Sequence, residues 1–285
     1  MSRPSRAAAV AVVLSLAAMA SVQSGVSLSV PVIHEYGVLS TSSLRLCWAA
    51  VVLALVVRPP LHRYTRAQWR AALMLGAGMA VMTLTFFLAV ERLPQHLAVA
   101  LEFCGPLAVA VAGVRGARAL AWPLLAAAGI VLLLWGDAHG AGGADPAGIA
   151  FALLAAAGWA TYIVMMKRVG TAFGGMQGLS VSLLVAAALA LPLGILEAGT
   201  LRFPDGQLLW TAGLAVLVPL VPYMLEITAL RRLSAAAFGV LMSLEPAVGA
   251  LSGWIILGQA MTGAQALGTL LVVCASVGAV RQGSG

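Results

Sequence analysis

Charged side chains make up only 9% of the 285 residues, where a soluble domain carries about a quarter. So little charge cannot solvate the surface of a water-soluble domain. Only nine residues are Asp or Glu, and no Asp falls inside an apolar run, which removes the paired aspartates of a membrane aspartyl protease. The three cysteines, Cys47, Cys104 and Cys274, each lie in an apolar run without CxxC or metal-ligand spacing. They are expected to be buried small hydrophobes, with neither a disulfide nor a metal site. Histidine is equally sparse: His34, His62 and His139 fall in loops, and His96 stands at the rim of an apolar run. A serine protease needs Ser and His buried together, and no cofactor-binding signature is present.

Apolar residues fill the space left: 62% of the chain is hydrophobic. A helix crossing a hydrocarbon core about 30 Å thick needs about 20 residues. Cutting at charged, Pro-rich and Gly-rich punctuation yields ten such runs, at 7–30, 37–57, 71–90, 96–114, 119–136, 147–166, 177–196, 207–229, 235–257 and 263–280. Continuous runs exclude a barrel, which alternates over shorter segments, and open sheets cannot exist in lipid. The expected fold is all-α: a polytopic bundle of ten transmembrane helices. The basic start and apolar stretch "AAAVAVVLSLAAMA" imitate a secretory signal. Apolar character resumes past "SVQSG" to Val32, so a retained first helix is expected.

The net charge of +7 does not point to a nucleic-acid partner, because the basic residues sit singly or in pairs between apolar runs and form no exposed cluster. They fit a membrane-orienting role. With a cytoplasmic N-terminus, thirteen of the sixteen Lys and Arg fall in inside segments. Only Arg92 and Arg202 fall outside, and Arg45 lies within the second run. The positive-inside rule then places both termini in the cytoplasm.

A shift of 140 residues lays "AVERLPQHLAVALEFCGPLAVAVAG", from Ala89, on "ALRRLSAAAFGVLMSLEPAVGALSG", from Ala229. Seven of the 25 columns are identical, among them Arg92 with Arg232, Pro106 with Pro246 and Gly113 with Gly253. These stretches are the fourth and ninth runs, so the repeat unit is five helices: residues 1–140 and 141–285. An odd unit inverts its second copy in the membrane, and inverted repeats around a midplane site are the architecture of alternating-access transporters.

Ionisable groups inside the bilayer cost roughly 2.5–3.5 kcal/mol each and are functional candidates by default. Four qualify: Arg45, Glu102, Glu226 and Glu245. The other acids, Glu35, Glu91, Asp137, Asp145, Glu197 and Asp205, are expected in outside loops. Glu245 corresponds in the repeat to position 105, three residues from Glu102 and on much the same helical face. Pro106 leaves the Glu102 carbonyl without its helical donor, and Pro246 does the same for Met242. Two acids and two proline-freed carbonyls thus approach one level of the membrane. They define a candidate substrate and proton site, against the plainer reading of two packing kinks whose acids stay neutral or pair with Arg45. Glu226, near the cytoplasmic Arg231 and Arg232, Gln23 in the first run and His96 are secondary candidates. A His at a helix end is usually solvated, and Gln23 can simply bond a neighbouring helix. Trp159 and Tyr162, with Phe103, are candidates for the wall of an amphiphilic pocket, although aromatic residues in a bundle usually pack.

The stretches "MASVQSGVSL", "LRL" around Arg45, "VALEFCGPLAVA", "VPYMLEITALRRL" and "FGVLMSLEPAVGALSGWIILGQAMT" resemble the ten-helix EamA-type family of the drug/metabolite transporter superfamily. Within it they look like the branch of bacterial inner-membrane threonine/homoserine exporters. The resemblance covers nearly the whole chain. It implies a secondary transporter, not an enzyme, that exports a small amino acid at the expense of the proton gradient. It implies site roles for Glu102, Pro106, Glu226, Glu245 and Pro246.

Such a cargo suits the charges. Arg45 can hold a carboxylate by paired hydrogen bonds, and Glu102 or Glu245 can receive an ammonium. Removal from water penalises the charged form of a carboxyl, so one of these acids can carry a proton inward in exchange. The expected partners are lipid, a small amino acid and protons, with no cofactor. An efflux pump for drugs or other metabolites is the alternative and would use the same acids without Arg45. An intramembrane enzyme lacks the residues named above.

Overall fold

The computed structural model describes residues 6–112, 121–138, 145–174, 176–222, 225 and 242–282. Among the described residues all regular structure is helical: α1 (Arg6–Tyr36), α2 (Val38–Val57), a 3-10 turn (Leu61–Arg63), α3 (Arg66–Arg92), α4 (Gln95–Glu102), α5 (Cys104–Ala112), α6 (Ala121–Ala138), α7 (Pro146–Ala172), α8 (Gln177–Ala198), α9 (Asp205–Ala215) followed by a kinked segment (Val216–Leu220) in which Val218 is extended, α10 (Glu245–Leu257) and α11 (Gly263–Gln282). Helices α1, α2, α3, α7 and α8 are long and apolar enough to cross a membrane. Five shorter apolar segments, Gln95–Val109, Ala121–Leu133, Asp205–Leu220, Glu245–Leu257 and Gly263–Ala275, accompany them. Each expected run thus meets a helix.

Helix ends follow their local chemistry. Thr65 and Gln68 form a reciprocal capping box at the start of α3. The Asp145 carboxylate accepts from the Ala147 N–H, with Pro146 in the first turn of α7. Gly199 and Gly258 close α8 and α10 in the left-handed conformation.

The packing inverts the soluble pattern. Leu55, Val56, Leu196 and Trp135 are exposed, whereas Ser27, Ser29, Ser40, Ser42, Ser43, Thr41 and Arg45 are buried. Lipid offers helices no hydrophobic drive to associate, so small residues and interhelical hydrogen bonds do the work. Where α6 crosses α11, a Cβ at Gly129 would lie 2.7 Å from the Gly268 carbonyl oxygen, and one at Gly268 2.6 Å from that of Gly129. Only glycine permits that approach at both positions. The principal neighbours are α3 with α7 and α8, α2 with α8 and α9, α1 with α9 and α10, α7 with α4 and α5, α4 with α10, and α6 with α11.

Three expectations change. The fourth run, expected as one helix over 96–114, is broken at Phe103 into α4 and α5. The break sits where Pro106 deprives the Glu102 carbonyl of its donor. The acids expected in outside loops mostly belong to helix ends: Glu35 to α1, Glu91 to α3, Asp137 to α6, Glu197 to α8 and Asp205 to α9. Helices outlast their apolar cores because polar residues in the last turns reach interfacial water. Cys274, expected buried, is exposed on α11; all three cysteines are free thiols.

Candidate functional site

The acids Glu102 and Glu245 stand at two matching breaks. Glu102 is the last residue of α4, before the turn at Phe103; Glu245 is the first residue of α10, after the turn at Ser243 and Leu244. Shifted by 140, Phe103 falls on Ser243. Pro106 is the third residue of α5 and Pro246 the second of α10, where the missing N–H is tolerated. Each acid is only 8% exposed, and the two carboxyls are close enough to feel each other's charge. Glu102 closes a helix and Glu245 opens one, so the partial charges of the helix ends meet them with opposite sign.

Helix α1 supplies the polar wall. Gln23 Nε2 donates to Glu245 Oε1 at 3.5 Å. Gln95 Nε2, on α4, donates to Gln23 Oε1 and to the Gln23 carbonyl, each at 3.1 Å. Ser27 Oγ donates to Gln95 Oε1 at 2.7 Å, and the Gln95 backbone N–H donates to Gln259 Oε1, beyond the end of α10, at 2.9 Å. Space for this network comes from α10: a Cβ on Gly249 would lie 3.1 Å from Gln23 Oε1, and one on Gly253 would lie 3.0 Å from Gln259 Oε1.

In the 140-residue alignment Glu245 falls on Gly105, where a side chain has no room: its Cβ would sit 2.9 Å from the Ala156 carbonyl carbon of α7, closer still to the oxygen. The acid of this stretch stands three residues earlier, at Glu102.

Arg45 does not join the acids. It is 3% exposed, and its Nη1 donates to Ser29 Oγ of α1 at 3.3 Å. Its guanidinium lies over the Phe87 ring of α3, 4.0 Å from the centroid. Ser29 is six residues beyond Gln23, about 9 Å along α1 and on another face of it. The ion pairs among the described residues join Arg92 to Glu91 and Asp145, so Arg45 does not neutralise the acids.

The secondary candidates divide. Phe103, at the break, packs edge-on against Trp159 of α7 with ring centroids 5.6 Å apart. Tyr162, one turn further, packs on the apolar cluster between α2, α3 and α8. His96 corrects its expected solvation: it is 2% exposed, with Nε2 lacking a hydrogen-bond partner, because α4 begins inside the bundle. Glu226 lies outside the described residues. Gln95 was not singled out by the sequence, and Gln259, which stands where the resembled family commonly has Glu, was expected to matter little at a helix end. The available signal was a glutamine following "ERLP" next to an apolar run that already needed a partner for Gln23.

Paired buried acids at broken helices, against neutral amides and a separate buried arginine, can bind and release small cations or protons in a membrane. Comparison with known proteins bears on this directly. The EamA-like transporter family matches residues 146–281. Threonine/homoserine exporter RhtA of Salmonella typhimurium strain LT2 is 37% identical over 266 residues, 92% of this chain and 88% of that protein. The chain belongs to the EamA-like transporter family. Threonine/homoserine exporter RhtA of Escherichia coli strain K12 is 36% identical over 267 residues, covering 94% and 90% of the two chains. One solved crystal structure, 19% identical, shares the fold with a TM-score of 0.60 over 93% of this chain and 94% of its own. These EamA relatives are named as transporters and not as enzymes, and the helical fold and its apolar spans fit a membrane transporter.

Proposed function

We propose that this EamA-family protein exports small amino acids of the threonine/homoserine kind across the bacterial inner membrane in exchange for protons. The observation that carries this reading is that Glu102 and Glu245, each buried at a helix break, lie within reach of each other's charge. Two carboxyls that share one site hold one cation more readily than none. A substrate ammonium and a proton therefore compete for one place, and that competition is the basis of antiport. The names of the two exporters supply the cargo class. Arg45 lies apart from the acids in this structure, and its role as ligand of the substrate carboxylate is proposed for another state of the transport cycle. Ser29 is its one hydrogen-bond acceptor among the described residues, so its fork retains donors for paired recognition.

Alternating access of two inverted halves, residues 1–140 and 141–285, is supported by the neighbour pattern. Exchanging each span with the one five later turns α1 against α10 into α7 against α4, and α2 against α9 into α8 against α3. The pairs α2 with α8, α4 with α10, and α6 with α11 map onto themselves. The charge asymmetry supports cytoplasmic termini.

Expression in a bacterial strain stripped of amino-acid exporters tests the cargo. Growth in excess threonine or homoserine should be rescued, with faster efflux of labelled threonine. Rescue against cationic dyes alone, with the protein shown to be inserted, would replace this reading by drug efflux.

A further inference from the structure

The hydrogen bonds around Glu245 have one direction. Starting at Ser27, each donor points toward the acid: the Ser27 hydroxyl to the Gln95 amide oxygen, the Gln95 amide nitrogen to Gln23, and the Gln23 amide nitrogen to Glu245. A primary amide has its donor on one side and its acceptor on the other. The Gln95 amide is oriented by the Gln23 backbone carbonyl as well, whereas the Gln23 side-chain amide is oriented by the carboxylate at its far end, which when ionised offers acceptors only.

Gln95 also stands at a junction. It is the first residue of α4, it is fully buried, and its backbone N–H is bonded to Gln259 beyond α10. One residue thus ties the ends of α4 and α10, which the proposed topology faces outward, to the middle of α1. Its hydrogen bonds run to Gln23, Ser27 and Gln259 and to neither acid, so any effect on the acids passes through Gln23.

We infer that Gln23, Gln95 and Gln259 form an amide latch that holds the outer ends of α4 and α10 to the middle of α1 while Glu245 carries neither proton nor substrate, and loosens when Glu245 is loaded. The inference rests on the antiport reading above. A proton on the Glu245 oxygen facing Gln23 needs an acceptor there. Turning the Gln23 amide to supply one sets its nitrogen against the Gln95 nitrogen, donor to donor. A substrate ammonium competes, as a three-donor group, for the carboxylate that Gln23 now occupies and so frees the Gln23 amide to turn. Either load weakens one of the two bonds from Gln95 to Gln23, the one to its amide oxygen, and leaves the one to its backbone carbonyl. An antiporter works only if its empty form does not reorient, and a latch closed by the empty acid enforces that rule.

Among the described residues, titratable groups lie on each element packed against the latch. Glu102, on α4, lies within reach of the Glu245 charge. His96 follows Gln95, buried, with Nε2 unbonded among the described residues. Helix α3 ends on Glu91 and Arg92, and Arg92 pairs with Glu91 and with Asp145 at the start of α7. Helix α1 carries Arg6 at its start and His34 and Glu35 in its last turn. Helix α11 carries Cys274, which is exposed, and Arg281. Arg45 meets α1 at Ser29, on a different face.

The test uses inside-out membrane vesicles containing the full chain, with labelled threonine as the probe. Two fluxes are measured: concentrative uptake driven by an acid lumen, and downhill flux without a pH gradient. Gln95→Leu should let the empty protein reorient, so the ratio of concentrative to downhill flux falls about tenfold or more against wild type. Gln259→Leu, which cuts the link at its partly exposed end, should lower the same ratio and carries the test if Gln95→Leu fails to insert. A wild-type ratio in both variants, or an equal fall in both fluxes, overturns the latch and leaves the antiport reading standing. Downhill threonine flux in the wild type without any concentrative uptake overturns proton coupling and the latch together.

Discussion

Replacing Gly105 with alanine adds one methyl group at the break between α4 and α5. Its Cβ would lie 2.9 Å from the Ala156 carbonyl carbon and 3.2 Å from the Ala156 Cα. Ordinary carbon contacts lie at about 3.5–4.0 Å, so α5 and α7 must part by roughly 0.5–1 Å. The obstacle is backbone and cannot rotate away. Overpacking of this kind costs about 1–3 kcal/mol. At about 2–4 °C per kcal/mol, the figure for domains of 150–250 residues, the melting temperature should fall by roughly 2–12 °C. The same displacement moves Phe103 off Trp159 and shifts Glu102, so transport per inserted molecule should fall as well. Gly213→Ala, in α9, is the control: nothing lies within 4 Å of its Cβ position, and alanine is favoured in a helix by up to about 1 kcal/mol. Thermal unfolding in detergent reads stability, and threonine efflux normalised to inserted protein reads function. If Gly105→Ala melts with Gly213→Ala and transports like wild type, the close approach of α5 to α7 is wrong.

Further outcomes follow from the same contacts. Arg45→Ala should raise the KM for threonine about 10- to 100-fold, the worth of a hydrogen bond to a charged group, and Arg45→Lys should recover only part, since lysine lacks the planar fork. Equal KM values in wild type and Arg45→Ala would remove Arg45 from the site. Gly249→Ala brings a methyl to 3.1 Å from Gln23 Oε1 and Val99 Cγ2, and should lower concentrative threonine uptake more than downhill flux. Thr65→Ala removes the capping box of α3 at a cost of about 1 kcal/mol, which should lower the melting temperature while leaving the KM for threonine unchanged.

Much of this was legible in the sequence because lipid is a simple solvent. Ten apolar runs, the proline-freed carbonyls and the two acids each carry a large energetic signature, and each run met a helix. Boundaries were less legible: polar residues such as Glu35 and Glu197 read as loop, yet Glu197 reaches across from α8 to accept the Ser40 N–H at 2.7 Å. The break at Phe103 was foreshadowed by Pro106, but proline permits a kink as well as a break, and only the packing of Gly105 on α7 shows how the chain turns. Arg45 was expected near the acids because charge attracts charge. It lies instead on another face of α1, where Phe87 and Ser29 receive it. Gln95 was missed, and Gln259 discounted, for the opposite reason. A neutral amide costs little to place near a membrane, so no penalty in the sequence calls attention to it.

The central claim is that Glu102 and Glu245 together carry the exchanged proton and cargo. The most direct measurement is labelled-threonine uptake into inside-out vesicles, driven by an acid lumen, for wild type, Glu102→Gln and Glu245→Gln at equal inserted amounts. The account predicts concentrative uptake in the wild type and its loss in both variants, since each glutamine keeps the shape of the acid and removes its charge. Full concentrative uptake in both variants would contradict it.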